Sequence, residues 1–97
     1  MASELRLYTI NRGQMADFVK VWREGVVPLR QEAGFRVEGA WIVEATNQFA
    51  WVVSLPDEED WEARLEHYYS SPGRRALSPD PVSFIARMET NFAFPAL

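Results

Sequence analysis

The chain has no cysteine and only one histidine in its 97 residues. No disulfide can staple the fold, and metal centres built from several nitrogen and sulfur ligands have nothing to form from. Basic residues are also scarce: ten Lys and Arg face fourteen Asp and Glu, a net charge of −4. With no basic stripe, a polyphosphate partner would be repelled, so nucleic-acid binding is not expected. No run is long and apolar enough to span a bilayer, and the opening Met1 to Arg6 lacks a basic stretch followed by an apolar one. Neither a membrane partner nor a secretory leader is expected, and the expected location is the cytoplasm. The phosphate-binding glycine loop, the dinucleotide fingerprint, the Gly-x-Ser-x-Gly elbow and the His-Glu-x-x-His helix are all missing. What remains open is chemistry done by a few polar groups in an aromatic pocket, with no metal and no cofactor expected.

Apolar residues are plentiful, at 47% of the chain, and aromatics reach 13% with four Trp. A chain this short forms one domain, residues 1–97, and buries only about two thirds of the surface that its unfolded form exposes. Without disulfide or metal, association with a second copy is the expected supplement to the core.

Residues 4–10 alternate in type and are closed by Asn11-Arg12-Gly13, as a first strand and its turn should be. Glu4, Arg6 and Tyr8 share one face, while Leu5 and Leu7 take the other. From Gln14 to Ala33, Met15, Phe18, Val19, Trp22, Val26 and Leu29 recur at steps of three and four, the spacing of an amphipathic helix. Pro28 removes a backbone donor and its ring presses on the Glu24 carbonyl, so a kink is expected near Gly25. Gly34 ends the helix. Two strands follow, 35–44 and 48–55, joined at Thr46-Asn47. The second is apolar on both faces through Phe49, Ala50, Trp51, Val52 and Val53, so it belongs inside the sheet with both sides covered. Asp57 and Asp60 supply acidic groups for the start of a second helix, whose buried stripe runs through Trp61, Leu65, Tyr68 and Tyr69. Residues 71–81 are rich in proline and read as an irregular connection with one helical turn, before a fourth strand over 82–90. The order β-α-β-β-α-β predicts a ferredoxin-like α+β fold: a four-stranded antiparallel sheet with both helices on one face and the other face free for a partner.

The segment Glu4 to Ile10, the Gly13 before the helix, Val27-Pro28-Leu29 at its end and Gly34-Phe35 through Gly39-Ala40-Trp41 resemble the NIPSNAP family over nearly the whole chain. The resemblance implies a dimeric α+β barrel, a homodimer in which two sheets pack face to face. Relatives of that barrel include cofactor-free antibiotic monooxygenases, muconolactone-isomerase-like enzymes, polyketide cyclases and haem-degrading proteins. It therefore implies architecture and leaves the chemistry open.

The candidate catalytic residues are His67, Tyr8 and Arg6. His67 alone has an unperturbed pKa near neutrality, which suits proton transfer or axial haem ligation. It lies about 120° around the helix from Trp61, off the buried stripe, where an ordinary exposed histidine would also sit. Arg6 and Tyr8, with Glu4 beside them, suit an anionic or carbonyl-bearing substrate. They equally suit a polar network between two packed sheets, with Glu89 as a further partner. Trp22, Trp41, Trp51 and Tyr68 are the candidate substrate-binding residues, large rings that fill a core or line a cleft for a planar ligand. Arg74-Arg75 reads as a solvated pair or as a guard for an anionic substrate. Whether the chain is an enzyme stays open. The first reading is a cofactor-independent monooxygenase, isomerase or cyclase acting on a small aromatic or polyketide-like molecule. The alternatives are a non-catalytic dimerisation or small-ligand module, and a haem binder.

Overall fold

The computed structural model describes residues 1–57 and 59–97. Strand β1 (Ala2–Ile10) is followed by a long helix in three parts: α1 (Met15–Val21), a π-helical stretch (Trp22–Val26) and α2 (Val27–Glu32). Strands β2 (Arg36–Val43) and β3 (Gln48–Leu55) form a hairpin around a 3-10 turn (Glu44–Thr46). Helices α3 (Trp61–Ser70) and α4 (Pro72–Ala76) and a second 3-10 turn (Pro81–Phe84) lead into β4 (Ile85–Ala93). The four strands make one antiparallel sheet in the order β2-β3-β1-β4. This is the ferredoxin-like α+β arrangement expected from the order of elements.

The expected kink takes a specific form. Pro28 has no N–H to return to the preceding turn, and the chain answers by widening: the Val27 N–H reaches back five residues to the Trp22 carbonyl. A π turn of this kind holds one residue more than an α turn and lets the helix continue beyond it. The second departure lies at the last strand. Asp80 accepts a hydrogen bond from the Val82 N–H at 3.0 Å, and Pro81 opens a 3-10 turn, so Val82 and Phe84 belong to that turn and β4 begins at Ile85. Its pairing with β1 then slips between Thr9 and Ile10, and the simple alternation over 82–90 does not hold.

Position in the sheet decides burial. On the helix side, Tyr8 and Ile10 of β1 and Phe49, Trp51, Val53 and Leu55 of β3 are buried against Phe18, Trp22 and Val26 of the long helix and against Tyr68 and Phe84. The rings meet edge to face: Phe18 lies 5.9 Å from Tyr8, 5.1 Å from Phe49 and 6.2 Å from Phe84 by ring centres, the geometry that aromatic quadrupoles favour. The opposite face of the sheet carries Leu5, Leu7, Ala50, Val52 and Trp41, as the register pairs them. No helix covers it. Leu5 is 48% exposed and Trp41 57%, and the Trp41 indole lies back along β2 over Gly39, where a Cβ would stand 2.7 Å from its Cη2.

Two ends are fixed locally. Asn47 adopts a left-handed φ of 53°, and its side chain donates to the Ile10 carbonyl at 2.7 Å, tying the hairpin to the end of β1. Asp60 caps α3 by accepting from the Glu62 and Ala63 N–H groups at 3.0 and 3.3 Å. Truncating Phe18 to Ala should cost about 3–5 kcal/mol in urea denaturation, since the cavity left between three rings cannot close. Asp60→Ala should cost about 1 kcal/mol, the worth of an exposed helix cap.

Candidate functional site

Between the sheet and the helices, the alternation of β1 and the helical period direct polar groups into an otherwise apolar layer. Arg6 and Tyr8 point to this side, so the reading of them as a network between two sheets gives way: they face helices of their own chain. The Arg6 Nε donates to the Tyr8 Oη at 2.7 Å, its Nη1 donates to Glu4 Oε1 at 2.5 Å, and its Nη2 reaches the Met88 sulfur at 3.5 Å. The carboxylate that holds Arg6 is thus Glu4 of its own strand, while Glu89 pairs with Arg87 on the surface at 3.2 Å. Burial by itself would lower the Arg6 guanidinium, but Tyr8 and Glu4 outweigh it and hold Arg6 above the ordinary arginine value.

These residues border a narrow, partly open cavity of about 30 Å³, room for about one or two water molecules. Of the residues picked from the sequence, Arg6, Tyr8, Trp22, Trp51 and Tyr68 come together on its wall. Trp41 and His67 do not. Trp41 is on the open side of the sheet, and His67 is exposed on the outer face of α3, as its angular distance from Trp61 allowed. Neither is placed to touch a molecule in the cavity. A haem does not fit this arrangement: the cavity is far too small, and the sole histidine lies outside it. The Arg74-Arg75 pair is split, Arg75 being exposed while Arg74 is only 9% exposed and lines the cavity, with its Nη2 3.2 Å from Asp80.

The residue that the pattern did not single out is Arg30. It stands four residues after Val26, in the row Phe18, Trp22, Val26, and that spacing was the available signal: a charged residue on the buried line of a helix. It is 1% exposed and its guanidinium sits among rings, 4.2 Å from the centre of Tyr68, 5.1 Å from Phe35 and 5.4 Å from Trp51. Its Nε and Nη1 have no hydrogen-bond partner among the described residues, and the same holds for Trp22 Nε1, Trp51 Nε1 and Arg74 Nε. Burial, and then the charge of Arg6, lower the Arg30 guanidinium from its usual value. Burial also pushes the Tyr68 phenol up, against the pull of Arg30 and Arg74, so this hydroxyl keeps its proton. The site is a set of N–H and O–H donors within aromatic walls, able to take the polar head of a small molecule and to polarise an oxygen upon it. A larger groove of about 680 Å³ between α1 and the chain around Pro79 is lined by Asp17, Lys20 and Glu24, ordinary solvated groups of an open surface.

The NIPSNAP family model matches residues 3–97. Among solved structures, an uncharacterised NIPSNAP domain protein from Burkholderia xenovorans superposes with a TM-score of 0.85 at 23% identity, covering 99% of this chain and 95% of its own. A NIPSNAP family protein from Agrobacterium tumefaciens gives 0.86 at 19% identity, over 97% and 91%. An antibiotic biosynthesis monooxygenase gives 0.72 at 15% identity, over the whole of both chains, a likeness of fold. No curated protein matches the chain.

Because Arg6 is 6% exposed and Glu4 12%, Glu4→Ala would leave a buried guanidinium without its counter-charge. A loss of about 3–5 kcal/mol in chemical denaturation is expected. A loss below about 1 kcal/mol, as for a surface pair, would show that Arg6 does not depend on Glu4.

Proposed function

The chain belongs to the NIPSNAP family, and on that premise we propose that this member binds a small planar aromatic molecule by its polar head, seated between helices and sheet, and transforms it without a cofactor. The observation that carries the reading is the convergence of Arg6, Tyr8, Trp22, Trp51 and Tyr68 on one cavity. Large rings supply flat apolar walls, and the polar groups among them are fixed rather than solvated. Arg6, held by Glu4, donates to the Tyr8 oxygen, which leaves the Tyr8 proton free to serve a substrate oxygen. Tyr8 is therefore the acid or base of the proposed chemistry and Arg6 the residue that orients and polarises it. Tyr68, whose proton is held by burial, serves as a further donor to developing negative charge.

The narrowness of the cavity favours a second reading, a module that stores or senses its ligand. Native mass spectrometry of freshly purified protein separates these from an empty fold: a retained aromatic molecule supports the site. With that molecule as substrate, Tyr8→Phe should lower kcat about a hundredfold or more with KM little changed. Equal turnover by Tyr8→Phe would remove Tyr8 from the chemistry, and a retained molecule that the wild type does not convert would leave only the binding module. Protein that retains nothing and binds no aromatic probe would sink both.

The partner proposed for the uncovered sheet face is a second copy of the chain. Leu5, Trp41 and Val43 on that face are 48%, 57% and 38% exposed, and two-fold pairing covers the same patch on each copy at once. Light scattering should give about twice the chain mass of 11.2 kDa, with a melting temperature that rises with protein concentration. Trp41→Asp should shift the mass toward one chain, whereas a wild-type monomer at micromolar concentration would overturn the pairing.

A further inference from the structure

Donors outnumber acceptors around the cavity. Arg30 Nε and Nη1, Arg74 Nε and the two indole N–H groups of Trp22 and Trp51 are buried without hydrogen-bond partners among the described residues, and all belong to residues on the cavity wall. The acceptors there are few, since the Tyr8 oxygen already takes a bond from Arg6. The charges are equally one-sided. Arg6 is matched by Glu4, and Arg74 leans on Asp80, whose side chain is 59% exposed. Arg30 has no carboxylate within ion-pair reach among the described residues. A buried cation without a counter-ion is costly to a folded chain, and the rings around it compensate only in part. Tyr69, Val82 and Met88 also line the cavity and are 43%, 50% and 41% exposed, so its wall opens to solvent through their apolar bodies.

We infer that the ligand is a planar aromatic oxyanion, its charged oxygen seated against the Arg30 guanidinium and its ring lying toward the mouth formed by Tyr69, Val82 and Met88. This deepens the small-molecule reading of the same cavity and rests on it. A carboxylate or an ionised phenol or enol offers the same chemistry: an acceptor with delocalised negative charge, which a guanidinium fork and indole N–H groups meet in the plane of the ring. The head fits the room of about one or two waters that the cavity offers, so the ring need not enter the core. A neutral ring would find the mouth and leave the donors unpaired.

The test is calorimetric titration of the full chain at neutral pH with naphthoate, with its uncharged isostere naphthamide, and with picrate as an ionised phenol. Naphthoate should bind at least about tenfold more tightly than naphthamide, the factor expected of one charge-assisted hydrogen bond. Binding of picrate but not naphthoate points to a phenolate or enolate ligand, and the reverse to a carboxylate; both support the oxyanion. Arg30→Met should reduce the preference to about unity, keep the naphthamide affinity, and melt no lower than the wild type, since it removes an unpaired buried charge. Should that variant fail to fold, the wild-type ratio decides alone. Naphthamide bound as tightly as the anions overturns the oxyanion and leaves an aromatic site standing. If none of the three binds, the small-molecule reading falls and the oxyanion with it.

Discussion

Three guanidiniums lie buried among the described residues, and a domain of 97 residues has little room to bury charge. Moving a cation out of water is unfavourable by several kcal/mol unless something in the interior answers for the lost hydration. The chain gives a different answer at each position. Arg6 has a carboxylate and a phenol, both within two residues on its own strand. Arg74 lies near the surface and reaches Asp80. Arg30 has neither, and what surrounds it is the negative faces of Tyr68, Phe35 and Trp51. The aromatic abundance of the sequence therefore has two uses, since the rings that fill the core also solvate its cations.

This constraint explains the division of the sheet. All the buried charge lies on the helix side, where rings from β1, β3 and the helices are close enough to enclose it. The opposite face carries smaller or aliphatic groups and the Trp41 indole laid over Gly39. A sheet that put Arg6 on its open side would have turned Leu5 and Leu7 toward the helices and carried Arg6 and Tyr8 together away from the rings of the core. The register is held against such a slip, because moving β1 by one residue would exchange every one of these side chains.

Much of the fold was legible because its signals are periodic. The alternation in β1, the steps of three and four from Met15 to Leu29, the interior place of the third strand and the Asp60 cap each predict what is found. Boundaries failed where one residue outweighed the pattern, as at Pro81, which starts a turn where Val82 and Phe84 suggest a strand. For the site, alternation placed Arg6 beside Tyr8 but could not say which face the helices cover. Trp41 lies on the other face from the cavity, which ring size could not show because it says nothing about side, and His67 drew attention through its pKa although its angle already set it apart from the stripe. Arg30 was passed over for the opposite reason: charge suggests solvent, and only its place in the row from Phe18 shows that the helix carries it inward.

The widened turn at Trp22–Val26 has a consequence beyond the accommodation of Pro28. A π turn is an α-helix that has absorbed one extra residue, so the segments on either side keep their own faces. Trp22 and Arg30 can each hold its seat although the stretch between them is longer than an ideal helix needs. Insertions and deletions are usually confined to loops. Here the middle of a helix offers the same freedom: a lineage could lose one residue from this turn, regain an unbroken helix, and still present its arginine to the cavity. Sequence alignments of such relatives would then show a gap inside a helix without any change in the chemistry that it supports.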